Sequence, residues 1–104
     1  MPELLDSTDV AGLFEGLGGR AATYTPYGGA AASCTVLLDP GSIEVRSEGG
    51  ELVAQHDEIT FNRDEVSEPT KDAIVVIASV GTWRLVGQSY RDDSESRWQA
   101  VQTA

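Results

Sequence analysis

Pro69-Thr70-Lys71-Asp72 leads into the apolar run Ala73-Ile74-Val75-Val76-Ile77, and after Gly81 come Thr82-Trp83-Arg84-Leu85-Val86-Gly87-Gln88, an acidic Tyr90–Ser96 segment and Arg97-Trp98-Gln99-Ala100-Val101-Gln102. Two apolar or alternating runs flank a glycine turn, and a polar loop precedes a third run. That pattern predicts three consecutive antiparallel strands. Trp83, Leu85 and Gly87 share one face of the second run, and Trp98 and Ala100 share one face of the third. Two tryptophans on adjacent strands predict core packing rather than a base-stacking platform. The unbroken run Ala73 to Ile77 predicts a strand covered on both faces, by the interior on one side and by a helix or a second subunit on the other.

Working toward the N-terminus, Glu58 to Asn62 alternates, with Ile59 and Phe61 on one face. The acidic stretch Arg63 to Pro69 then leaves the sheet, since its terminal proline cannot continue a ladder. Ala31 to Leu38 alternates as well, with Ala32, Cys34, Val36 and Leu38 facing the core. Asp39-Pro40-Gly41-Ser42 reads as a turn. Ile43 to Arg46 and Leu52 to His56 form the arms of a hairpin, and the two glycines between acids in Glu48-Gly49-Gly50-Glu51 predict a mobile tip. Ala21 to Thr25 is a short strand ahead of the Pro26-Tyr27-Gly28-Gly29 turn. Before it, Val10, Leu13, Phe14 and Leu17 fall at helical spacing, with Asp6 or Ser7 as cap and Gly18-Gly19 as stop. Gly12 and Gly16 each weaken that helix by about 1 kcal/mol relative to alanine, so it needs something to dock against. The fold class is therefore mainly β: a small antiparallel barrel or sandwich with one short N-terminal helix and a long hairpin loop. A single domain spans 1–104, with an arm and helix over 1–20 and the sheet over 21–104.

The 104 residues carry 17 acids against 7 bases, a formal net charge of −10. Phosphate backbones are gripped by lysine and arginine displacing counterions, so the balance excludes a nucleic-acid-wrapping role. No stretch approaches the ~18 apolar residues of a membrane span. One cysteine, Cys34, excludes an intrachain disulfide. It sits among core-facing residues, where a thiol behaves as a small apolar group.

Chemistry-bearing constellations are thin. His56-Asp57-Glu58 puts the single histidine beside two carboxylates, but neighbours on a strand point to opposite faces, so a solvated edge outweighs a metal site. Arg91 to Arg97 lacks the ligand spacing of a calcium hand. Neither glycine pair has the GxxxxGK[ST] pattern of a phosphate loop, and no local signature selects a nucleophile. No catalytic residue, metal ligand or cofactor is implied.

A short helix with Val10-Ala11-Gly12-Leu13-Phe14, a strand Ala21-Ala22-Thr23-Tyr24-Thr25, a long glycine-containing loop, Arg63-Asp64-Glu65-Val66, Lys71-Asp72-Ala73-Ile74-Val75-Val76-Ile77, Gly81, Thr82-Trp83-Arg84-Leu85-Val86 and an acidic turn at Asp92-Asp93 follow one another in this order. The order resembles the small head-tail joining proteins of long-tailed bacteriophages, the lambda-type tail attachment family. Lys71-Asp72 stands where that family tends to have Gly-Asp. The resemblance implies a non-enzymatic virion protein made in the host cytoplasm, assembling as a ring between the filled head and the tail. Portal or head-completion proteins and tail tube or terminator proteins are the implied partners. Within that reading, Leu4 and Leu5 of the arm and Glu48, Gly49, Gly50 and Glu51 of the hairpin are the candidate partner contacts. A tail terminator, a head-completion protein or another minor virion protein is the nearest alternative. A small acidic metal-binding module built on His56 is the rival from a different class.

Overall fold

The computed structural model describes residues 18–104, in which six strands run in chain order: β1 (Arg20–Thr25), β2 (Ala32–Arg46), β3 (Leu52–Asn62), β4 (Ile74–Ile77), β5 (Gly81–Arg91) and β6 (Glu95–Gln102). The helix expected before Gly18 lies outside the described residues. All pairings are antiparallel, and the order β1-β2-β3-β6-β5-β4 closes on itself because β1 also pairs with β4, Ala22 opposite Ile77 and Tyr24 opposite Val75. Closure leaves most of the sheet without an exposed ladder. The three expected C-terminal strands are adjacent, with β5 between β4 and β6.

The alternation of each strand sets what lies inside. Ala22 and Tyr24 from β1, Cys34 and Val36 from β2, Ile59 and Phe61 from β3, Val75 and Ile77 from β4, Trp83 and Leu85 from β5 and Trp98 and Ala100 from β6 form one buried cluster. Tyr24 meets Phe61 edge-on, with ring centroids 5.6 Å apart and planes at 79°, the arrangement the ring quadrupoles favour. Both tryptophans are core residues. Burial, with the Glu65 carboxylate adding to it, pushes the Cys34 thiol up to about 11. It therefore remains a neutral, inert thiol at physiological pH.

The connection from β3 to β4 stops one end of the barrel. Val66 is buried in the core. Tyr24 Oη accepts a hydrogen bond from Thr70 N at 3.0 Å. Arg63 ties this connection to the β5–β6 turn: Nε donates to Ser67 O at 3.0 Å and one terminal nitrogen donates to Asp92 O at 2.8 Å. At that turn the Asp92 carboxylate accepts from the backbone N–H of Glu95 at 2.9 Å and of Ser94 at 2.8 Å. Those two donors hold its pKa down at about 2. A carboxylate whose folded pKa lies below its unfolded value adds stability above about pH 4 and loses it as pH falls toward 2. The melting temperature is therefore expected to drop across pH 4 to 2, and to drop less in an Asp92→Asn variant, as followed by circular dichroism. Identical pH profiles for the two proteins would refute the assignment.

One feature departs from the sequence reading. Asp39-Pro40-Gly41-Ser42, read as a turn, does not end the strand; β2 runs through it to Arg46. Glu58 pairs with Asp39 and His56 with Ile43, so three residues, 40–42, oppose Asp57 alone in a wide bulge. A proline is tolerated because β1 pairs with β2 only as far as Val36, which leaves Pro40 on an edge where no N–H is required. Gly41 takes φ +66°, a conformation that favours glycine. On β4, Val75 and Ile77 point inward as expected, and Val76 on the opposite face is 42% exposed; the helix expected over that face lies outside the described residues.

Candidate docking surfaces

Beyond the bulge, β2 and β3 separate from the barrel. β6 pairs with β3 only from Asp57 onward, so Ile43–Arg46 and Leu52–His56 have each other as neighbours and no third strand among the described residues. At ~3.3 Å per residue this two-stranded ribbon reaches roughly 15 Å past the barrel. Its tip is closed by Gly50 N donating to Ser47 O at 2.9 Å and Ser47 N donating to Glu51 O at 2.8 Å, with Gly50 at φ +87°. Arg46 braces the turn, donating to Gly50 O at 3.0 Å and pairing with Glu44 at 2.7 Å. Glu48, Gly49, Gly50 and Glu51 are thus brought together as one exposed tip. Leu4 and Leu5 lie outside the described residues.

The ribbon has two unlike faces. Ile43 and Val45 are half-buried while Glu44 and Arg46 are exposed, and Ala54 sits across from Val45. A second register shift follows: Arg46 pairs with Leu52, which leaves Val53 unpaired and 61% exposed beside Leu52 at 47%. Exposed β-branched and leucine side chains at the end of a projecting arm form an apolar surface of the kind that marks interaction sites.

What aims the ribbon is Asp57, which the sequence reading considered only as a weak metal ligand. One carboxylate oxygen accepts from Gly41 N in the bulge at 2.8 Å, and the other accepts from Trp83 Nε1 on β5 at 2.6 Å. The base of the ribbon is thereby fastened across the barrel end to a core tryptophan. The signal available in the sequence was an acid opposite a Pro-Gly pair, and its significance depends on a register that the sequence does not display.

Its neighbours diverge. His56 Nδ1 meets the side-chain amide of Gln99, and Glu58 accepts from Ser89 Oγ at 2.9 Å. Asp57 lies between them on the other face of the strand, and among the described residues no three His, Cys, Asp or Glu side chains gather as a metal-binding group. Nor is any helix among those residues long and apolar enough to cross a membrane.

Elsewhere on the barrel, the outer side of β1 and β4 is lined by small uncharged residues around a shallow depression of about 220 Å³. The sequence did not single it out, because Ala21, Thr23 and Ser33 look unremarkable until the register aligns them.

The described residues thus form a closed β-barrel with one projecting ribbon fastened at its base by Asp57. The family model of the phage head-tail attachment protein matches residues 1–100. The chain belongs to that family. A comparison with curated proteins finds no match. Membership gives this head-tail attachment chain a virion assembly role, as a component of the phage particle whose partners are head and tail components. The family is generally non-enzymatic.

Proposed function

We propose that this chain is a ring-forming connector between the DNA-filled head and the tail, and that the tip of its β2–β3 ribbon engages the adjoining head or tail protein. The supporting observation is the ribbon itself: it extends out of the closed barrel, is fastened at its base by Asp57, and ends in the exposed acidic tip Glu48 to Glu51. An arm that contributes little to the core is retained for what it touches. The charge agrees with a conduit, because a chain at −10 has no electrostatic grip on DNA moving past it. Screening over ~8 Å at physiological salt lets such copies pack side by side once partners hold them. Assembly of the chain in the host cytoplasm belongs to the same reading.

Deleting Ser47 to Glu51 is expected to leave the barrel folded, since neither the core cluster nor any barrel pairing includes those residues. Head-tail joining in an infected or reconstituted system is expected to be abolished, with filled heads and free tails accumulating side by side. Normal yields of infectious particles from a folded deletion protein would overturn the role of the tip.

A further inference from the structure

Among the described residues, the ribbon's exposed apolar side chains and the uncharged face of β1 and β4 are two exposed surfaces. Ser33 pairs with Thr23, and Thr23 with Val76, which in turn pairs with Thr82. Ala21 and Ala78 lie two residues along on the same outer side and line the depression with Thr23, Ser33 and Val76. None of these six side chains ionises. In a chain of net charge −10, such a face is where a second copy approaches without setting carboxylate against carboxylate. Its alanine and threonine floor is a hole, and Val53, unpaired at the second bulge, is a knob.

Within one molecule the two cannot meet. Ser33 opens β2 and Val45, beside the knob, is near its far end, a span of roughly 40 Å at ~3.3 Å per residue. The contact therefore passes from copy to copy between unlike surfaces, the heterologous arrangement that closes into a ring when the rotation allows. We infer that the apolar stem of one copy's β2–β3 ribbon, centred on Val53, seats in the Ala21–Thr23–Val76–Ala78 depression of the next copy, leaving the acidic tip free for the head or tail protein. This rests on the connector reading and names the surface through which the copies would associate.

The test is a cysteine pair, Val53→Cys with Val76→Cys, in full-length chain carried in assembled particles and mildly oxidised. The pair is placed in a Cys34→Ala background, because the native Cys34 lines the same depression and would otherwise compete. A ladder of disulfide-linked multimers is expected from the double variant, and monomer alone from each single variant. Val76→Asp, at a site 42% exposed, is expected to keep the barrel's melting temperature within a few degrees and to lower joining by more than tenfold. Wild-type joining by folded Val76→Asp protein overturns the inference. A monomer-only pattern from double-variant particles that contain the chain also overturns it and leaves the connector reading standing. Absence of the wild-type chain from purified particles removes the connector reading and this inference together.

Discussion

Replacing Phe61 with alanine is expected to cost ~3–5 kcal/mol, the usual range for removing a fully enclosed aromatic ring. Phe61 has no exposed surface, packs edge-on against Tyr24, and sits one residue before the β3–β4 connection turns to bury Val66 in the same core. The barrel wall around it is a continuous hydrogen-bonded cylinder, so it cannot collapse inward to fill the space. Domains of this size hold only ~5–15 kcal/mol in total. At ~4–8 °C per kcal/mol, the midpoint should fall by roughly 12–40 °C in a thermal melt followed by far-ultraviolet circular dichroism. Phe61→Leu, which keeps most of the volume, should lose less than half as much. A Phe61→Ala protein melting within about 5 °C of wild type would mean that the core is not organised around this ring.

The second large effect concerns Asp57. Asp57→Ala strands two donors, Gly41 N–H in the bulge and the indole N–H of the buried Trp83. Hydrogen bonds to a charged acceptor contribute ~1.5–3 kcal/mol each, and partial access of water to the Gly41 side reduces the sum. A loss of about 2–3 kcal/mol is expected. Asp57→Asn retains one good acceptor and should lose about half of that. The more telling readout is local. In nuclear magnetic resonance spectra the Trp83 indole proton should shift and the Gly41 amide should exchange faster, while Phe61 and Ile59 amides keep their protection. Unchanged Trp83 and Gly41 signals in a folded Asp57→Ala protein would show that the ribbon is held by something else.

Much of this architecture was legible in the residues. Strict alternation in Cys34–Val36, Ile59–Phe61 and Trp98–Ala100 assigned inner faces correctly, because period two is imposed by the strand and one side of each strand is dry. The Pro40-Gly41 pair misled, since it has the composition of a turn. Whether a strand stops at such a pair depends on whether an edge is free and whether a side chain across the ladder can take the bulged N–H. Both facts belong to distant residues, the end of β1 pairing and Asp57. The apolar run Ala73 to Ile77 gave a strand whose Val75 and Ile77 are buried in the barrel, while Val76 on its other face is 42% exposed among the described residues. The exposed tip Glu48 to Glu51 could be read directly from its glycines and acids. The depression between β1 and β4 could not, because it is made of ordinary small residues brought together by pairing across some fifty positions.

That closing pair also sets a timetable. β2 with β3, β4 with β5 and β5 with β6 are joined by short connections and can form as each leaves the ribosome, but β1 must wait for β4 and β3 for β6. At synthesis rates of ~5–20 residues per second, the roughly fifty residues between them take about 3 to 10 s. Loop-closure entropy delays such long-range pairing further. Until it forms, the inner side of β1 and the open edge of β4 are available to any neighbouring chain. The β1–β4 seam thus cannot exist until most of the chain has been made, and the depression that straddles it cannot receive a knob from another copy before then.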